Sequence, residues 1–299
     1  MDMQSLEEAN REDARRGQAA RQTSLRREQW VILGLIIALT LGAWAYSTYN
    51  ATGGGMSMDM DMSRKGLDPT MEQAMSSRLR DAAIRPGIPP FAMFVPMWIV
   101  MCVAMMLPTV WPMAFAFAAI SRKRQARGVA FAPTWAFLLG YLVVWGLFGL
   151  ACWAAAYGLF GLIGGWLGDP RHVMVATGVL FLAAGAYQLS PLKEACLTSC
   201  RHPLLFVIHN WREGYLGAVA MGIHHGGLCV GCCWALMVVL FPLGMMNLLW
   251  MGLFTLVMYL EKNIRYGVMV GRVAGGVLLA SGSVLLLMGS ILLVTRTIL

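Results

Sequence analysis

Two short cysteine clusters contain five of the seven cysteines in the chain. Cys196 and Cys200 form the first cluster, and Cys229, Cys232 and Cys233 form the second. Because helical residues three or four positions apart share a face, each cluster predicts a stripe of thiols. Soft thiolates bind Cu(I), Zn(II) and iron–sulfur clusters, and four of them can close a tetrahedral site. Together the two clusters predict one metal site.

The second stripe extends toward the N-terminus through a histidine and a methionine. His225 precedes Cys229 by one helical turn, and Met221 precedes His225 by another. This spacing predicts that sulfur and nitrogen ligands share the site. The alternative is that these cysteines are small apolar residues that pack helices together, with glycines such as Gly226 and Gly227 allowing close approach.

Two series of methionines point to a soft monovalent metal. They are Met56, Met58, Met60 and Met62, which alternate with Ser and Asp, and Met93, Met97, Met101 and Met105, which recur every four residues. The first series resembles the methionine motifs of copper transporters. The second would line one face of a helix. Thioethers are neutral, favour copper over hard ions, and stay ligands in an oxidising compartment. The two series predict a soft-metal relay, and the alternatives are a flexible linker and ordinary core packing.

The composition of the chain predicts that the helices carrying these cysteines and methionines lie in a lipid bilayer. Hydrophobic residues make up 58% of the chain and charged residues 13%, against about 25% charged in soluble domains. We therefore predict an all-α, polytopic transmembrane helical bundle with about seven spans, each needing about 20 apolar residues. The predicted spans are 30–49, 91–120, 131–160, 171–192, 228–243, 244–260 and 273–295. Histidines interrupt 202–227, which is either interfacial or a half-helix leading into the fifth span.

Four regions follow from this pattern. They are a polar cytoplasmic tail at 1–29, a first transmembrane anchor at 30–49, an external Met-rich loop at 50–90, and a multi-span helical membrane domain at 91–299 that carries the cysteine clusters. The tail lacks the apolar core of a cleavable signal.

The distribution of Lys and Arg predicts the orientation. Segments 1–29, 121–130, 193–214 and 261–272 carry 16 of the 23 basic residues, so they are expected on the cytoplasmic side of a bacterial inner membrane, with the N-terminus inside. Both cysteine clusters then lie at the cytoplasmic edge, where thiols stay reduced. Glu261, Lys262 and Arg265 are expected to pair at the same edge. The net charge of +8 is a topology signal, and nucleic-acid binding is excluded because no folded basic domain is present.

Several motifs within roughly residues 90–265 resemble a known bacterial family. They include Met97-Trp98, Ala104-Met105-Met106-Leu107-Pro108, Tyr187-Gln188, Pro191-Leu192-Lys193, Gly231-Cys232-Cys233-Trp234 and Glu261-Lys262. The family comprises predicted metal-binding integral membrane proteins and is catalogued as a domain of unknown function. The resemblance implies metal binding.

Three functions are compatible with these patterns. The favoured function is that of a non-enzymatic membrane protein that binds or transports a metal ion. Copper fits the ligands best, and zinc and an iron–sulfur cluster are the alternatives. Its expected partners are the lipid bilayer, the metal ion, and a metallochaperone or membrane-complex partner. The alternatives are a membrane oxidoreductase, either thiol–disulfide or metal-dependent, and a structural or assembly subunit. The external loops contain no cysteine pair for a thiol relay, which weakens the oxidoreductase reading.

Overall fold

The structure is a computed structural model that describes residues 30–31, 33–49, 91–128, 130–245 and 247–298. The predicted cytoplasmic tail at 1–29 lies outside the described residues. The Met-rich loop at 50–90, with Met56, Met58, Met60 and Met62, also lies outside them.

The described residues form nine α-helices and no strand, which confirms the all-α fold class. The helices are α1 (Leu33–Tyr49), α2 (Phe91–Gln125), α3 (Thr134–Ile163), α4 (Pro170–Gln188), α5 (Pro191–Arg201), α6 (Pro203–His209), α7 (Gly214–Leu243), α8 (Leu248–Asn263) and α9 (Gly267–Ile298). A short 3₁₀ turn, Trp166–Gly168, precedes α4.

Local sequence signals explain where several helices begin. Asp169 and Ser190 precede prolines at the first helical position, and their side chains accept hydrogen bonds from backbone N–H groups of the first turn. Asn247 caps α8 in the same way. Such caps satisfy backbone N–H groups that have no partner within the helix. Proline fits at the first helical position because it has no backbone N–H group to satisfy. These signals place a sharp break between α4 and α5.

Four helices, α2, α3, α7 and α9, are long and apolar enough to cross a membrane. The pair α4 and α5, bent by 59°, makes a fifth if it is counted as one broken span. The prediction of about seven spans is therefore not supported. The interrupted segment 202–227 and the predicted span 228–243 overlap one 30-residue helix, α7. The remaining predicted spans correspond to α8, at 16 residues, and α1, at 17, both shorter than the roughly 20 residues a span needs.

Glycines allow the long helices to pack closely in pairs. On α3 and α7, a Cβ added at Gly140 or Gly222 would collide with the facing backbone at Val219 or Phe137. On α4, a Cβ at Gly178 would lie 2.8 Å from the backbone of α9. Small residues at such contacts let helix backbones approach each other directly. Helix α7, which carries three of the cysteines, is thereby held against α3.

The break between α4 and α5 turns the next cysteines toward α7. Helix α5 packs against α7, and α8 contacts both of these helices and α2. Tyr187, in the last turn of α4, donates a hydrogen bond to the carbonyl of Gly231 on α7. The two cysteine clusters therefore face each other across one helix interface.

Candidate metal centre

A compact group of thiols lies within one turn of α7. The Sγ atoms of Cys229, Cys232 and Cys233 all lie within 4.8 Å of one another, and each residue is about 1% exposed. The Cys232 and Cys233 sulfurs are 3.3 Å apart. The group thus offers three soft ligands in a space sealed from solvent.

A fourth thiol reaches this group from α5. The Sγ atom of Cys200 lies 3.9 Å from that of Cys232. Thiolates about 2.3 Å from a metal are about 3.8 Å apart in a tetrahedral site. The spacing across the two helices therefore fits shared metal ligation. All seven cysteines are free thiols.

Cys196 lies at the border of the thiol group. Its Sγ atom packs on Gly231, where an added Cβ would be 2.7 Å away. It is half-buried, as is Cys200. The absence of a side chain at Gly231 leaves the room that this thiol occupies. Cys196 therefore contacts α7 at Gly231 but does not belong to the cluster of Cys229, Cys232 and Cys233.

A buried lysine enters the thiol group from α8. The Lys262 ammonium donates hydrogen bonds to Cys229 Sγ at 3.2 Å and to Thr109 Oγ1 at 3.0 Å. Its position differs from the predicted pairing of Glu261, Lys262 and Arg265. The spacing pattern of the cysteines gave no indication of Lys262. The one sequence signal was its place at the end of an apolar segment, since ionisable residues in membrane segments usually have a function.

Glu261 points away from the thiols and toward α5. Its Oε1 atom accepts a hydrogen bond from Lys193 Nζ at 2.6 Å and another from the amide of Gln188. Both members of the ion pair are at least 97% buried. The last turn of α8 therefore contacts both cysteine-bearing helices through consecutive residues.

A second polar group also contacts Cys229. The hydroxyl oxygen of Tyr141, on α3, lies 3.0 Å from Cys229 Sγ. Tyr141 and Lys262 are both buried. A hydrogen-bond donor and a positive charge beside one sulfur suit the thiolate, which is the form that binds metals. Cys229 is thus electrostatically distinct from the other cysteines of the group.

His225 lies in an aromatic cage beside the thiols. Its ring stacks on Phe137 and Tyr141, with centroids 5.9 and 5.8 Å apart, and meets Phe206 edge-on. The residue is buried, and its Nδ1 atom has no hydrogen-bond partner among the described residues. It lies outside the compact group formed by the three cysteines. The predicted nitrogen ligand therefore lies one helical turn from Cys229 but is not part of the cluster that the three cysteine sulfurs form.

The methionines of α2 run from the surface into the interior. Met93 is 42% exposed, Met97 is half-buried, and Met101 and Met105 are buried. Met221 is buried on α7. Its sulfur accepts a hydrogen bond from the backbone N–H of Arg212 at 3.3 Å.

These features define an all-helical protein with apolar, potentially membrane-spanning helices and a buried thiol group suited to a soft metal. A family model described as "PpoB2: Copper chaperone" matches residues 95–285, and the chain belongs to this family. The family is metal-related, as the motifs predicted. No curated protein and no solved structure matches the chain.

Proposed function

We propose that this protein is a membrane-embedded copper chaperone that binds Cu(I) at the thiol group of α5 and α7. The observation that carries the proposal is the buried cluster of Cys229, Cys232 and Cys233, joined by Cys200 at 3.9 Å. The copper-chaperone description of the family supports the choice of metal.

The chemistry of the ligands favours copper in its reduced state. Cu(I) is a soft ion that thiolates and thioethers select, and two or three sulfur ligands suffice for it. Hard ions prefer oxygen ligands, and the atoms of this cluster are sulfurs. The site offers more thiols than Cu(I) needs, which suits a protein that must pass its ion on by exchanging ligands one at a time.

The proposed path starts outside the membrane. The loop methionines Met56, Met58, Met60 and Met62 collect the ion, and the α2 methionines pass it inward to the cysteines. Support for the second step is the change from exposed Met93 to buried Met105 along one helix. Because thioethers bind copper weakly and thiolates bind it tightly, the ion would move toward the cysteines. His225 and Met221 are secondary ligand candidates.

The proposed setting is the bacterial inner membrane, with the N-terminus in the cytoplasm, an orientation that requires the short helices α1 and α8 to cross the membrane together with the longer candidates. Support comes from the apolar helices and from the side preference of Lys and Arg. In this orientation Cys196 and Cys200 follow the cytoplasmic end of α4, whereas Cys229, Cys232 and Cys233 lie near the middle of the 30-residue helix α7. A cytoplasmic metallochaperone or a membrane-complex partner would then exchange copper with Cys196 and Cys200, which are the half-buried thiols of the site.

Metal analysis of the natively purified protein tests the proposal. Wild-type protein is expected to retain copper, and the triple variant with Cys229, Cys232 and Cys233 changed to serine is expected to lose it. Cys152→Ser is the matched control, because Cys152 is a half-buried thiol on α3 outside the compact cluster. Equal copper content in the wild type and the triple variant would refute the proposal.

A thiol–disulfide oxidoreductase is the second candidate. It is favoured by the activated position of Cys229 beside Lys262 and by the Cys229-x2-Cys232 spacing. Thiol trapping in cells separates the two functions. A catalytic pair would cycle between reduced and oxidised forms, whereas metal ligands would stay reduced and become protected when copper is added.

A further inference from the structure

An apolar groove of about 560 Å³ runs between α8 and α9 on the outside of the helix bundle. Its floor consists of buried side chains from three helices, Leu236 on α7, Phe254 on α8 and Leu278 on α9. Its rim is exposed, since Val273 and Val277 on α9 are 58% and 61% accessible. The groove therefore opens sideways, toward the space that a lipid bilayer would fill.

The shape of the groove fits a single hydrocarbon chain. Its lining on α9 extends from Tyr266 to Ser281, which is about 22 Å along a helix. One leaflet of the hydrocarbon core is about 15 Å thick, so an acyl chain that enters at one end lies within this length. The volume and the length give a mean cross-section of about 25 Å², whereas a further helix, about 10–12 Å across, needs about 80 Å² or more. A packed helix is therefore too wide for the groove.

Positive charge is concentrated at the Tyr266 end of the groove. The turn between α8 and α9 carries Arg265, an exposed residue directly before Tyr266. The guanidinium of Arg201, on α5, donates hydrogen bonds to the carbonyls of Ile264 and Arg265, both at 2.9 Å. Helix α9 begins at Gly267, and its N-terminal end adds to the positive potential of this turn. Two arginines therefore converge on the end of an apolar groove.

No carboxylate in the described part of the chain forms an ion pair with either arginine. Glu261, the nearest one along the chain, is paired with Lys193. Glu194 faces Arg272 instead. Arg201 bonds the two carbonyls through one terminal nitrogen, so the N–H groups of its second terminal nitrogen remain for a ligand. Such donors, with two positive charges, suit the phosphate of a lipid headgroup.

We infer that the groove binds an acyl chain of an anionic phospholipid, whose phosphate lies against Arg201 and Arg265. The charge selects this occupant, because a quinone or another neutral apolar molecule would leave both arginines without a partner. In the proposed orientation this end of the groove lies at the cytoplasmic leaflet, where anionic lipids attract Lys and Arg. The inference is independent of the copper site, because none of the described side chains that line the groove is a thiol.

Lipid binding by the purified full-length protein tests the charge. Native mass spectrometry measures its affinities for phosphatidylglycerol and phosphatidylcholine with identical acyl chains, which differ in the net charge of the headgroup. The wild type is expected to prefer phosphatidylglycerol by about tenfold or more, and Arg265→Gln is expected to reduce this preference by about fivefold. Arg127→Gln is the matched control, because Arg127 is an exposed arginine that follows α2, and it should keep the preference.

Filling the groove tests the position of the acyl chain. Val273→Trp places a large side chain at the rim and should weaken the binding of both lipids by about tenfold, the effect of about two methylenes that are no longer buried. Val284 is an equally exposed residue of α9 that does not line the groove. Val284→Trp should therefore leave both affinities unchanged.

Three outcomes would overturn the inference. Equal affinity of the wild type for the two lipids would assign the groove to neutral apolar molecules. An unchanged preference in Arg265→Gln would remove the arginine from the site, and this variant should fold because the side chain that it replaces is exposed. Equal effects of Val273→Trp and Val284→Trp would show that lipids bind the helix surface at large. None of these results bears on copper binding, which the metal analysis tests separately.

Discussion

The Lys262 ammonium lies 3.2 Å from the Cys229 thiol, across the interface between α8 and α7. The preceding residue, Glu261, bonds Lys193 on α5. Two consecutive residues therefore join the helices that supply the cysteines. Because both contacts are buried, the geometry of the thiol group depends on the position of the last turn of α8.

The ion pair between Lys193 and Glu261 should be essential for stability. Glu261→Ala leaves a buried ammonium without its partner, and the expected loss is about 3–5 kcal/mol of unfolding free energy. Thermal or denaturant unfolding of the purified protein measures it. Replacing both residues by methionine should recover most of the loss, because no unpaired charge then remains.

The pair Arg272–Glu194 is the matched control for that measurement. Its side chains are 67% and 53% exposed, and the charged atoms are 3.9 Å apart. Exposed pairs contribute about 0–1 kcal/mol. Glu194→Ala should therefore leave unfolding nearly unchanged, and a loss equal to that of Glu261→Ala would contradict the role assigned to burial.

Close packing of α7 on α3 should make Gly222 intolerant of a side chain. A Cβ there would collide with the backbone carbonyl of Phe137, so Gly222→Ala is expected to cost about 1–3 kcal/mol. Gly227 lies on the same helix with no heavy atom within 4 Å of an added Cβ. Gly227→Ala should be neutral or should stabilise by up to about 1 kcal/mol, because alanine favours helices. Unfolding of the two variants in parallel makes the comparison.

The individual cysteines should differ in their importance for copper. Cys232 lies between Cys200 and Cys233, at 3.9 and 3.3 Å, whereas Cys196 borders the group. Serine offers a hard oxygen in place of a soft thiolate. Cys232→Ser should therefore weaken Cu(I) binding more than Cys196→Ser does, as measured by competition with a Cu(I) chelator. A larger loss of Cu(I) affinity in Cys196→Ser than in Cys232→Ser would indicate that the metal binds closer to α5.

Copper should protect a thiol of the site from chemical modification. Cys200 and Cys152 are both half-buried, so both should react slowly with a maleimide in the copper-free protein. Added Cu(I) is expected to slow the labelling of Cys200 and to leave Cys152 unaffected, which mass spectrometry of the labelled peptides reports. Equal protection of both thiols would indicate a general change of structure rather than ligation.

The sequence by itself determined the features that depend on composition and local spacing. Its apolar content predicted helices suited to a bilayer, and the intervals of three and four residues placed Cys229 with Cys232 and Cys233. Both signals are local, because one helix imposes the spacing. The number of spans was not predictable in this way, since a run interrupted by His224 and His225 resembled an interfacial segment but is part of one long helix, α7.

Only the tertiary structure decided which groups surround the thiols. Tyr141 and Lys262 lie 88 and 33 residues from Cys229 along the chain, and Glu261 is 68 residues from Lys193. No local rule links residues so far apart, because their contacts depend on the break at Ser190 and on glycine-mediated helix packing. The sequence thus specified the thiols of the site, and the packing of α3, α5 and α8 around α7 specified its charge.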